Sequence, residues 1–356
     1  FGERDVERNL SMERDTVVRI YSMSKPITSV ALMMLYERGK FQLDDPVSKF
    51  IPSWSDLRVY ENGDGATMVT SPTTVPVTIK HLLTHTSGLT YGFMNSHPVD
   101  ALYRNASIGG ERQGSTLQDM IDDLADIPLS FTPGSRWNYS VATDVCGYLV
   151  QLFSDIDLDV FVRERITKPL GMNDTGYQVP ASSKDKFAAC YRYKRGGGFE
   201  LQDNPASSVY HQRPTFFSGG GGMVATIDDY SRFAQMLLNR GEFGGHRILG
   251  RKTVEYMATN HMPGNVDLAA MGQPVFSETS YHGIGFGLGF SVVLDPAAAG
   301  VLDSPGEFAW GGAASTYFWV DPLEDMTVVF LTQLLPSSTY PIRRELKTLI
   351  YQGIAN

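Results

Sequence analysis

Two cysteines in 356 residues are too few to build a disulfide-stapled fold. Neither Cys146 nor Cys190 stands at metal-ligand spacing. Such sparse use suits a reducing, cytoplasmic setting. A single disulfide stays open, as does a periplasmic or secreted location after loss of a leader. The sequence has no run of Lys and Arg, and its net charge is −9. The basic patches that hold nucleic acid or an anionic membrane are therefore missing. Long hydrophobic runs are missing too. VALMML, at 30–35, is far short of the roughly 20 residues that span a bilayer. There is no Gly-x-Ser-x-Gly, which removes an α/β-hydrolase elbow. There is no His-Glu-x-x-His, which removes a zincin. No internal repeat occurs. The chain opens on FGERDVERNL without an initiator Met and reads like a strand already under way, so a further segment is expected before Phe1.

What is present suits a large buried core: 42% hydrophobic residues and 19% charged, in one large domain or two. VVRIYS, at 17–22, reads as a short strand. Ile27, Val30, Ala31, Met34 and Leu35 mark a helical face, and Gly39 marks its stop. Leu32 and Met33 lie off that stripe, so the helix is expected to be buried on more than one side. VTIKHLLTHTSGL, at 77–89, reads as a short helix and a polar turn. Residues 90–114 are rich in Gly, Asn and Ser and read as a long surface excursion. Ser115 and Gln118 have capping-box spacing before the next helix. Val141, Val145, Leu149 and Leu152 mark another. TIDDYSRFAQMLLNRG is an amphipathic helix opened by Thr226 and Asp229. In the last third GFGLGFSVVL, STYFWV and MTVVFLTQ read as strands, followed by a terminal helix in IRRELKTLIYQ. The pattern predicts an α+β fold, a mainly antiparallel sheet with helices against it.

RIYSMSKPITSVALMMLYERGK, at 19–40, sets Ser22 three residues before Lys25, with Pro26 next. In a first helical turn that spacing puts both side chains on one face. A proline deep in a helix would lose the bond to the carbonyl four residues back and clash with it. The helix must therefore begin within Ser22–Pro26. Its free N–H groups and positive dipole end then lie near Ser22, where the Ser22 N–H itself can donate to an oxyanion. Pro26 biases Lys25 away from α geometry, so the first turn is expected to be irregular. A serine hydroxyl needs a base to become a nucleophile. Lys25 serves if its pKa falls from about 10.4 by about three units, worth about 4 kcal/mol. In the other scheme a charged Lys25 holds a tyrosinate that acts as the base. The plain alternative is a capping serine and a solvated lysine. Ser183 and Lys186 repeat the spacing, but no apolar helix follows them.

The stretch SMSKPITSVALMMLYERGKFQLDDPVSKFIP, together with VTIKHLLTHTSGL, resembles the serine β-lactamase and penicillin-binding-protein superfamily. Within it the chain is most similar to the class C β-lactamase-like carboxylesterases, the family VIII esterases. The likeness runs on to FAWGGAASTYFWVDP. It implies a β-lactamase-like fold with an α/β domain from 1–21 and 224–356 and a mostly helical domain from 22–223. The nucleophile sits at the seam, and an N-terminal helix and strands are expected ahead of residue 1. Ser22 matches the nucleophile and Lys25 its paired lysine. The family's Tyr-x-Asn occurs literally as Tyr60/Asn62 and Tyr103/Asn105, both in loop-like stretches and both rejected. Tyr139, in FTPGSRWNYSVATDVCGYLV, has the family context, with Val141 where Asn would stand. It is the expected base.

No Lys-Thr-Gly exists, and Trp310, Gly311 and Gly312 stand in its place, as in the esterase branch. Glycines there let a strand edge approach the ligand. The N–H of Ala313 would be the second oxyanion donor beside Ser22. Tyr91, Phe93, Phe216 and Phe217 are candidates for an acyl pocket, with core packing as the alternative for each. Losing the Asn and the Lys argues against a β-lactam and for neutral, apolar esters. The resemblance thus implies a cofactor-free esterase for small-molecule esters of short or medium acyl chain, with no metal, nucleic acid or membrane span; the oligomeric state is open. Rivals are an acyltransferase, a D-peptidase or weak β-lactamase, and a non-catalytic binding relative. His81 and His85 are read as structural rather than metal-binding. SGGGGM, at 218–223, lacks the lysine of a phosphate loop and reads as a close backbone approach.

Overall fold

The computed structural model describes residues 1–109, 113–272 and 281–355. Residues 110–112 of the 90–114 stretch lie outside them. Four helices and one sheet position the site: α1 (Ser24–Tyr36), α2 (Ala142–Ser154), α3 (Ile227–Leu238) and α4 (Ile342–Tyr351). The sheet runs β1 (Ile284–Phe286), β2 (Ser291–Val293), β3 (Phe308–Gly311), β4 (Tyr317–Asp321) and β5 (Met326–Phe330), each antiparallel to the next. GFGLGFSVVL is thus two strands and a turn, because Gly287 and Gly289 interrupt it.

Alternation in β4 explains how the sheet is covered on both faces. Phe318 meets Tyr230 of α3 with ring centroids 5.0 Å apart. Trp319, on the other face, stacks on Tyr351 of α4 at 6.4 Å. In register Trp310 faces Phe318, and Gly311 faces Tyr317. The N-terminal part joins this body through Val18–Arg19, antiparallel to Val224–Ala225. The fully buried Arg19 bonds Asp203 at 2.7 Å and the Ala188 carbonyl at 2.7 Å. Gln333 closes both of Arg19's backbone groups, at 3.0 and 2.9 Å. Cys190–Tyr193 runs parallel to Leu334–Leu335 and antiparallel to Phe199–Asp203.

α1 is buried from Ser24 to Leu35 and packs along α2. This matches the sequence reading of a helix covered on more than one side. It ends at Tyr36, with Gly39 at φ 68° closing the turn behind it. The 90–114 stretch is not all excursion. Pro98–Asn105 forms a helix that buries Val99, Asp100 and Tyr103, because Asp100 accepts from Thr90, Ser96 and His97 and ties the loop to it. Before Leu117–Ala125 the cap is Thr116 with Asp119, one residue beyond the expected pair. Leu152, expected on the buried face of α2, is 43% exposed near the helix's C-terminal end. Both cysteines are free and buried. Among the described residues no helix is long and apolar enough to cross a membrane.

Candidate active site

Strand Val18–Arg19 leads into a 3₁₀ turn at Tyr21–Met23, and α1 follows at Ser24. Tyr21 holds φ 42°, a left-handed conformation uncommon for a side-chain-bearing residue. The turn lifts Ser22 to the wall of a cavity of about 360 Å³. Tyr139, Trp310, Gly311, Gly312 and Ala313 line the same cavity. Lys25 Nζ lies 3.3 Å from Ser22 Oγ and donates to the Gly220 carbonyl at 2.6 Å. It sits over the Tyr139 ring at 4.4 Å and the Tyr91 ring at 5.4 Å from the centroids. Lys25 is fully enclosed, and burial pushes its pKa down to about 7, with the Asp144 carboxylate pulling the other way. The irregular first turn expected from Pro26 is the 3₁₀ segment.

Burial pushes the Tyr139 hydroxyl up, although nearby Ser22 and Trp310 favour its ionised form. Among the described residues that hydroxyl completes no hydrogen bond, and neither does the Trp310 indole N–H beside it. The Ser22 and Ala313 amides find no acceptor among the described residues. At Gly312 a Cβ would stand 2.2 Å from Thr316 Oγ1 and 2.4 Å from the Ile20 carbonyl. Only glycine lets the end of β3 close against the chain that leads to Ser22.

The glycine-rich stretch 218–223 lies along the first turns of α1. Thr28 Oγ1 donates to the Gly219 carbonyl at 2.9 Å, and Met223 N donates to Ser24 Oγ at 3.1 Å. It is the close backbone approach read from SGGGGM. Asp144, in the first turn of α2, holds this loop by accepting from Ser218 Oγ at 2.6 Å and Gly220 N at 3.0 Å. Sequence reasoning missed Asp144. Its signal was one acid inside the apolar run VATDVCGYLV, where burial of a charge needs a reason.

Tyr91 stands behind Tyr139, ring centroids 5.4 Å apart, and stacks on Phe93, which reaches the cavity. Phe216 and Phe217 are not brought to it. Phe217 packs edge-on against Tyr177 at 5.5 Å, under the Arg213 guanidinium. The apolar wall comes instead from Tyr281, Ile284, Val293, Ala299 and Val301; Arg192, Arg343 and Lys347 also line the cavity, and Arg343 Nη2 donates to the Gly312 carbonyl at 2.9 Å. These lie on several elements, with Arg343 and Lys347 both on α4, and carry no motif. His81 completes the capping box of Thr78. His85 is buried with Nδ1 3.2 Å from Ser140 Oγ. Ser183 and Lys186 are spent on Asp174 and Asp15. No cluster of metal-ligating side chains occurs among the described residues.

A model of the Beta-lactamase family matches residues 1–352. The chain belongs to that family. Within it, Esterase EstB of Burkholderia gladioli is 31% identical over 93% of this chain and 81% of its own length. The solved structure of EstCE1, described as a hydrolase with promiscuous acyltransferase activity, is 28% identical, with a TM-score of 0.78 over 98% of this chain and 88% of that one. Simvastatin synthase LovD of Aspergillus terreus is 25% identical, with a TM-score of 0.81 over 100% and 90%. The fold is β-lactamase-like, and the chain is a member of a Beta-lactamase-family group of serine hydrolases with esterase and acyltransferase relatives.

Proposed function

We propose that the chain is a serine carboxylesterase that cleaves neutral esters of short or medium acyl chain through an acyl-enzyme on Ser22. The observation that carries this is the contact of Ser22 with an enclosed Lys25 on the wall of an apolar cavity. Ser22 Oγ attacks the ester carbonyl, and its proton passes to Lys25 Nζ. The oxyanion takes hydrogen bonds from the Ser22 and Ala313 amides, each worth about 10² to 10³ in rate. The carbonyl–alkoxy bond then breaks, and the alkoxide takes the Tyr139 hydroxyl proton. Lys25 returns a proton to Tyr139. Water repeats the sequence and frees the acid.

This exchanges the roles expected from sequence, where Tyr139 was the base. A buried phenol whose pKa is raised is a poor base at neutral pH, whereas a lysine near 7 is half neutral there. An orphaned buried hydroxyl suits a donor that waits for a ligand oxygen. Trp310, Gly311 and Gly312 form the wall against which the ester lies. No cofactor enters the scheme.

Initial rates on p-nitrophenyl acetate, butyrate and octanoate test the reading. Ser22→Ala is expected to lose about 10⁴-fold or more in kcat. Turnover that survives in the variant sinks it. The likeness to EstCE1 and LovD supports a second reading, acyl transfer. In that case added alcohols draw the acyl group into new esters at the expense of free acid.

A further inference from the structure

We propose that Asp144 is a positioning residue that sets the protonation of Lys25 through the glycine loop. The inference rests on the Ser22 hydrolase reading. The Asp144 carboxylate is enclosed and accepts from Ser218 Oγ at 2.6 Å and from Gly220 N at 3.0 Å. The peptide groups on either side of the Gly220 Cα then work as a relay: its N–H is fixed on Asp144, and its carbonyl accepts from Lys25 Nζ at 2.6 Å. One Lys25 hydrogen is thereby committed to the loop, which aims the rest of the amine at Ser22 Oγ, 3.3 Å away. Gly220 fits this seat because a Cβ there would stand 2.7 Å from Asp144 Oδ2.

The carboxylate also acts by its charge. Burial lowers the pKa of Lys25, and Asp144 raises it. Without Asp144, burial acts unopposed. The other titratable groups around Lys25 are His85, Tyr91 and Tyr139, with Tyr177 on the far side of Asp144. His85 is pushed well below its ordinary pKa, and Tyr91, Tyr139 and Tyr177 above theirs. All four are neutral at pH 7. Burial raises the pKa of Asp144 too, while the Lys25 charge and the bonds from Ser218 and Gly220 favour its ionised form, so it is the counter-charge that keeps the Lys25 pKa near neutrality instead of far below it.

The test is the pH profile of kcat/KM on p-nitrophenyl butyrate for wild type and Asp144→Asn. The amide oxygen can still accept from Ser218 and Gly220, so the variant removes the charge while leaving an acceptor in place. The acid limb is expected to move to lower pH by about one unit. Removing a negative charge lowers the pKa of any nearby group, so the direction is fixed. Gly220→Ala, whose methyl displaces the carboxylate from the other side, is expected to move the limb the same way. Near-ultraviolet circular dichroism verifies that each variant is folded. A purely structural Asp144 would lower kcat and leave the limb in place, and an unmoved limb in the folded variants overturns the proposal. If wild type itself turns over no ester, the hydrolase reading has failed instead, and the two failures are distinct.

Discussion

A lysine enclosed by two aromatic rings and a backbone carbonyl has little water left to hold its charge. With its pKa near 7, Lys25 is protonated below that value and free to accept a proton above it. Ester turnover should therefore fall about tenfold per unit below an apparent pKa near 7. A profile flat from pH 5 to 8 would contradict the base assignment. Gly312 carries a second residue-scale prediction. A methyl there meets Thr316 Oγ1 and the Ile20 carbonyl, so Gly312→Ala is expected to cost about 1–3 kcal/mol of stability. It should also cost about 10²-fold in kcat, by moving the amide of Ala313. Thermal unfolding and initial rates check both, and a variant with wild-type values would show that the approach is not tight. Ser22, Lys25 and Tyr139 were legible because nucleophile, lysine and proline lie within five residues, and Tyr139 lies in a recognisable setting. Asp144 was not, because its partners are more than 70 residues away in sequence.

At the scale of elements, the start of α3 shows what a cap contributes. Thr226 Oγ1 accepts from Asp229 N at 3.2 Å, so Thr226→Ala should cost about 1 kcal/mol, read as a lower urea midpoint. An unchanged midpoint would mean the end is held by other contacts. The spacing suggested a reciprocal box, but the Asp229 carboxylate accepts instead from Asp174 N at 2.8 Å and Thr175 Oγ1 at 2.9 Å. Local pattern found the helix, and a distant loop claimed the side chain. In the Pro98–Asn105 helix the partners are near in sequence, since Asp100 accepts from Thr90, Ser96 and His97. The sequence reading located β4 and β5 through their apolar runs, but did not read the four-residue β3 as a strand. It could not show that Phe217 would turn away from the cavity, since which pocket an aromatic fills depends on chain folded elsewhere.

At the scale of the whole molecule, α4 is bound to the sheet by a buried ionic cluster. Lys347 Nζ contacts Asp303, and Glu307 at 2.5 Å. Tyr351 Oη is 2.6 Å from both Glu307 and Asp321 carboxyl oxygens. One hydroxyl proton cannot serve two carboxylates, so one carboxyl holds a proton of its own. Burial pushes the Glu307 carboxyl well above its ordinary range, which makes it that group. The folded state therefore binds a proton that the unfolded chain releases above pH 4.5. The stabilisation is full below that value and is lost as pH rises through the raised pKa of Glu307. Glu307→Gln mimics the protonated form, so the stability difference between variant and wild type should swing in the variant's favour between pH 5 and 9. A constant difference would remove Glu307 as the proton carrier. Nothing in the sequence announced this cluster, because its members come from a loop, one strand and the terminal helix.

Covalent catalysis at Ser22 would leave its mark in mass spectrometry of the protein quenched during turnover of p-nitrophenyl butyrate. A butyryl adduct is expected on the peptide that holds Ser22, absent in Ser22→Ala. Turnover with the adduct on another residue would contradict it.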